Sequence, residues 1–126
     1  MTAPAVRCAS LAALLCHLPL GAERVRTPVP DARPVMIAAL QAEDGTAHGI
    51  LTGQLADAIT KRFEASSPIF IDVSTERRYR QTGCSRLKVL FWQEGVRLPD
   101  ASAPRRQTIE FGIDYCLDGL PPRTRS

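Results

Sequence analysis

The sequence predicts an α+β domain: one helix packed on a small three- or four-stranded antiparallel sheet with a cross-strand disulfide. Three observations carry that prediction. Residues 69–74, 85–93 and 107–116 alternate apolar and polar side chains at the strand period of two. Leu51, Leu55, Ala58, Ile59 and Phe63 recur at helical spacing. Cys84 and Cys116 stand at the far ends of the second and third alternating runs.

The chain has 126 residues, enough for one domain. Residues 1–22 read as a signal peptide. Arg7 is the only charged side chain before Glu23, and Cys8 to Cys16 form an apolar run of signal-peptide length. Pro19 breaks that run, and Gly21-Ala22 supply small residues for cleavage. The run is too short to span a bilayer, so no transmembrane anchor is expected after signal removal. Leu14-Leu15 before Cys16 lack the small residues of a lipidation site. The competing reading is a buried N-terminal helix of a cytosolic protein.

Cleavage after Ala22 would remove Cys8 and Cys16 and leave two cysteines, the even number expected of an exported protein with one disulfide. It also removes Arg7, leaving 15 basic against 13 acidic side chains, a net charge of +2. So mild a charge does not point to a nucleic-acid partner. The expected location is the periplasm.

Residues 23–34 hold Pro28, Pro30 and Pro34 among Arg24, Arg26 and Arg33, and read as a Pro/Arg-rich flexible lead. A docking arm is the alternative. Residues 35–120 are expected to form the single α+β domain. Val35 to Gln41 is nearly all apolar, so periodicity leaves strand or helix open. A strand is preferred, because Glu43-Asp44-Gly45 follows as a turn signal. The helix is expected over residues 52–65, capped by Thr52 and stopped by Ser66-Ser67-Pro68, with its apolar stripe in the core. Thr75 to Gly83 reads as a solvated connection, Glu94-Gly95 as a turn, Leu98 to Arg106 as a polar loop, and residues 121–126 as a disordered tail.

An antiparallel hairpin of the second and third runs fixes its own register. Setting Leu87 opposite Ile113 puts Val89 opposite Phe111 and Phe91 opposite Ile109, so every apolar residue meets on one face. The same register sets Cys84 opposite Cys116, within disulfide reach. A redox role is not indicated, because no Cys-x-x-Cys motif is present.

Little in the sequence points to catalysis, and no enzyme activity is expected. His48 is the only histidine beyond the leader and reads as a surface residue in a Gly-flanked loop or helix start. One histidine with two oxidised cysteines does not make a zinc site, so no metal or other cofactor is expected. Gly45, Gly49 and Gly53 do not follow a phosphate-loop pattern. Glu110 and Asp114 read as solvated charges. What remains is a candidate partner surface: the cations Arg77, Arg78, Arg80, Arg86 and Lys88, with Leu90 and Trp92 on the Lys88 face. A solvated face is the plainer alternative.

Four segments carry a family likeness: Gly53 to Asp57, Ile71 to Thr75, Gly83 to Leu87 and Phe111 to Gly119. Together they resemble small exported proteins of bacterial conjugal-transfer gene clusters, the KikA-like group, over about Gly49 to Pro122. The resemblance implies a non-enzymatic periplasmic accessory of a conjugative type IV secretion system, with another envelope or secretion-system protein as partner. It carries over no functional residue beyond the two cysteines as a structural pair. A periplasmic inhibitor or small binding module unrelated to conjugation, acting through the Arg cluster or the Leu98–Arg106 loop, is the alternative.

Overall fold

Residues 25–100 and 103–126 are described by the computed structural model. The expected signal peptide, with Cys8 and Cys16, lies outside the described residues. The sheet has five strands, adjacent in sequence order: β1 (Thr27–Val29), β2 (Thr46–Leu51), β3 (Ile69–Arg78), β4 (Cys84–Val96) and β5 (Arg105–Cys116). Two helices, α1 (Arg33–Gln41) and α2 (Gln54–Arg62), join β1 to β2 and β2 to β3. The α+β class holds, but the sheet has five strands instead of three or four. It is mixed, because β1 and β2 run parallel while the other pairs run antiparallel.

The β4–β5 hairpin takes the register that the alternation demands. Leu87 faces Ile113, Val89 faces Phe111, Phe91 faces Ile109 and Cys84 faces Cys116. The two cysteines form a disulfide with their Cα atoms 4.1 Å apart. Neither N–H crosses the pair: Cys84 donates to the Gln81 carbonyl and Cys116 to the Leu120 carbonyl. This is a non-hydrogen-bonded pair, the kind whose Cα atoms lie closer. Although it sits on the face away from Leu87 and Val89, each cysteine is only 3% exposed. The 79–83 turn and the tail close around it. Leu117 N–H donates to the Gly83 carbonyl (3.0 Å), and Arg80 N–H to that of Ser126 (2.8 Å). Arg123 N–H donates to Gln81 Oε1 at 2.7 Å. Residues 121–126 therefore have no regular structure but are tied down, where disorder was expected.

The flexible lead expected over 23–34 is corrected for its described residues, 25–34. Thr27–Val29 form β1, and Pro28 is tolerated there because an edge strand has a side that need not donate. Parallel neighbours need a crossover, and the apolar run from Val35 supplies it as α1, not as the preferred strand. The Asp31 carboxylate accepts the Arg33 N–H at 2.9 Å, and Pro34 occupies the first turn, where its missing N–H does no harm. Val35, Met36 and Ala39 then fall on one buried stripe. Gly49 lets this unit close: a Cβ there would lie 2.8 Å from Val35 Cγ2 and 3.2 Å from the Thr27 carbonyl.

The core lies between α1 and one face of the sheet: Val29, Val35, Met36, Ala39, Ile71, Val73, Leu87, Val89 and Tyr115. Two further expectations change because strands run longer than their clean alternation. β3 continues to Arg78 through a bulge between Thr75 and Arg77, so part of the expected solvated connection is strand. β4 continues through Glu94-Gly95, where the turn was expected, by a bulge with Gly95 at φ +66°.

The helix expected over 52–65 is present as α2, starting after Gly53 and not capped by Thr52. Thr52 instead donates both its N–H (2.8 Å) and its hydroxyl (3.1 Å) to the Val29 carbonyl of β1. Hydrogen bonds fasten α2 to β4. Buried Gln93 donates to Thr60 Oγ1 (2.8 Å) and the Ser67 carbonyl (2.9 Å), and Arg97 N–H donates to the Phe63 carbonyl (2.9 Å). Among the described residues no helix is long and apolar enough to cross a membrane.

Candidate functional site

The stripe on α2 was expected in the core, but only Ala56 of this helix is buried. Ile59 and Phe63 instead line an open groove with Leu51, Ile69, Phe91, Val96, Leu98 and Ile109, about 250 Å³ in volume. The local cause is the way α2 is held. Polar bonds from Gln93 and Arg97 fix the helix beside β4, and α1 packs over β2, β3 and the part of β4 and β5 that carries Leu87, Val89 and Tyr115. Between them the rest of the sheet surface at β4–β5 stays uncovered. Ile109 is 68% exposed, Phe111 41% and Leu55 72%. The groove walls are apolar and open to solvent, which makes them a candidate contact surface.

The opposite face of the sheet is polar and centres on Asp72. Its carboxylate accepts the Trp92 indole N–H at 2.7 Å (Oδ2) and the His48 Nδ1–H at 2.6 Å (Oδ1). The Arg26 guanidinium pairs with Oδ1 at 2.9 Å. Partial burial disfavours the charged carboxylate, but the bonds from His48, Trp92 and Arg26 outweigh it and hold Asp72 below the usual range. Arg26 also bonds the Gly49 and Ile71 carbonyls (3.2 and 3.3 Å) and lies 4.6 Å from the Phe70 ring centre. Trp92 packs on Phe70 with centroids 4.5 Å apart, and the Arg106 guanidinium lies 4.3 Å from its ring. Arg106 is held there by a bidentate pair with Glu94, whose carboxyl it lowers.

A second polar cluster closes the disulfide end of this face. Tyr79 donates to Asp114 Oδ1 at 2.7 Å, Arg86 approaches the same oxygen at 3.3 Å, and Arg125 of the tail reaches Oδ2 at 3.1 Å. The Tyr79 bond first, then Arg86 and Arg125, lower the Asp114 carboxyl; the same bond raises the Tyr79 phenol.

Of the predicted partner surface, β4 carries Arg86, Lys88, Leu90 and Trp92 along this one face, and the β3 bulge sets Arg77 opposite Arg86. Arg78 falls on the other side, reaching the Glu43 carbonyl at 3.5 Å, and Arg80 sits in the β3–β4 turn. Trp92 and Arg86 are engaged within the fold, by Asp72 and Asp114. His48 is corrected from a loop position to a partly buried strand residue bonded to Asp72. Sequence reasoning missed Arg26, His48 and Asp72 as one cluster, and Ile59, Phe63 and Ile109 as one groove. The signal for the first was available: His48 and Asp72 share a polar face once 46–51 pairs with β3.

No protein-family model, no curated protein and no solved structure matches this chain.

Proposed function

We propose that this chain is an exported, non-enzymatic binding protein that serves as a periplasmic accessory in bacterial conjugative DNA transfer. The groove is its contact site. One observation carries the binding role: an apolar groove between α2 and the β4–β5 surface, open to solvent and lined by Ile59, Phe63, Phe91 and Ile109. A groove with these walls accepts apolar side chains of a protein partner and offers little to a charged small molecule. Export is supported by the apolar N-terminal run and by the Cys84–Cys116 disulfide, which persists in an oxidising compartment. The link to conjugation rests on the resemblance of Gly53 to Asp57 and Phe111 to Gly119 to small proteins of transfer gene clusters.

A photocrosslinking amino acid at position 59 of α2 tests the reading in cells. The expected product joins this chain to an envelope component of the transfer apparatus. Adducts confined to abundant unrelated periplasmic proteins would contradict it.

A further inference from the structure

The two edges of the sheet are built differently. β1 is three residues long and carries Pro28. β5 is 12 residues long with neither proline nor lysine. Proteins blunt exposed edges with short strands, proline and lysine, because a bare edge pairs with another chain. β1 follows that rule fully; β5 is long and free of proline, and its charges, Arg105, Arg106, Glu110 and Asp114, must be matched by any chain that pairs with it.

The outward-pointing groups of β5 follow from the ladder. Cys116 N–H points away from β4, to the Leu120 carbonyl. Antiparallel alternation then directs the backbone groups of Thr108, Glu110, Gly112 and Asp114 to the open edge. Ile109, Phe111 and Ile113 share the helix-side face, and Thr108, Glu110, Gly112 and Asp114 the polar one.

We propose that the open edge of β5 pairs antiparallel with β5 of a second copy, centred on Phe111, giving one continuous two-fold sheet. Like charges directly opposed are unfavourable, and they count against the three neighbouring registers. Centring on Glu110 would oppose two carboxylates. Centring on Gly112 would set Glu110 against Asp114. Centring on Ile109 would set Arg106 against Gly112, which the Arg86 guanidinium overlies: a Cβ on Gly112 would lie 2.6 Å from Arg86 Nη2. Centring on Phe111 sets Glu110 against Gly112, so each Glu110 carboxylate meets the other copy's Arg86. Phe111 faces itself, Ile109 faces Ile113, and Thr108 faces Asp114. Four pairs of outward-pointing residues, 108 with 114 and 110 with 112 in both senses, complete their hydrogen bonds. Exposed Ile109 and Phe111 become an apolar seam. The pairing does not rest on the proposed role in transfer.

Sedimentation equilibrium of the full processed chain, with the native disulfide intact, is expected to show a monomer–dimer equilibrium. Glu110→Arg should weaken it by about tenfold or more, since two favourable contacts become two repulsive ones. Phe111→Cys should form a disulfide-linked dimer on mild oxidation, because self-opposed residues of a non-hydrogen-bonded pair lie within disulfide reach. Glu110→Cys should link far more slowly. A chain that stays monomeric at every concentration overturns the proposal. So does Glu110→Cys linking faster than Phe111→Cys.

Discussion

The Trp92 indole donates to Asp72 Oδ2 at 2.7 Å, across the β3–β4 ladder from one polar face position to its diagonal neighbour. This bond holds the only tryptophan of the chain beside Arg26, His48 and Phe70, where its fluorescence reports on the whole cluster. Asp72→Asn removes the charge that Arg26 and His48 face. The expected loss is about 1–2 kcal/mol at neutral pH, with altered Trp92 emission. An unchanged spectrum and midpoint of urea unfolding would show that the cluster is not cooperative.

The sign of the pH effect follows from the lowered Asp72 carboxyl. A depressed folded-state value means that the unfolded chain binds the proton more readily. The stabilisation is therefore complete above the ordinary aspartate range, near about pH 4, and is lost as pH falls through the lower folded value. Asp114 acts in the same direction through Tyr79. Urea titrations at descending pH should show wild-type stability falling steeply below that range, and Asp72→Asn flattening the slope.

Cys84 and Cys116 close a loop with a sequence separation of 32. Chain entropy for such a loop gives about 3–4 kcal/mol, a large share of a small domain's stability. The double substitution Cys84→Ser/Cys116→Ser should lower unfolding stability by that order. Because both cysteines are buried beneath the 79–83 turn and the tail, thiol reductants should act slowly on the folded protein and quickly in urea. Equal rates in both conditions would contradict the buried placement.

Gln93 is 5% exposed and donates to both Thr60 and Ser67. Gln93→Ala leaves those acceptors to water and unfastens α2, at an expected cost of about 1–3 kcal/mol. Hydrogen exchange should rise across Gln54–Arg62 while β3 to β5 stay protected. Gly49→Ala attacks the other side of the core, where the new methyl meets Val35 Cγ2 and the Thr27 carbonyl. A loss of about 1–3 kcal/mol is expected, read by thermal unfolding.

What the sequence made legible follows from where side chains alternate cleanly. Leu87, Val89 and Phe91 against Ile109, Phe111 and Ile113 define a register with no rival, and the cysteines fall into it. The N-terminal third offers no such pattern. An all-apolar run such as Val35 to Leu40 looks the same as buried strand and as buried helix. Its choice is made by Pro34 at the first turn and by the parallel pairing of Thr27–Val29 with Gly49–Leu51, which is non-local. The groove was hidden for a different reason. The α2 stripe has the period of a core face, and periodicity cannot show whether another element covers it. Its openness depends on Gln93 and Arg97 holding the helix by its polar groups.

The proposed role of the groove in DNA transfer is measured by conjugation frequency in the host, with the gene deleted and restored. Ile59→Asp/Leu98→Asp places two charges in the groove at positions outside the buried core and away from the β5 edge. Deletion should reduce transfer, and the wild-type gene should restore it. The groove variant should fail to restore it while reaching the periplasm in equal amount. Transfer unaffected by deletion, or fully restored by the groove variant, would rule out that role for the groove.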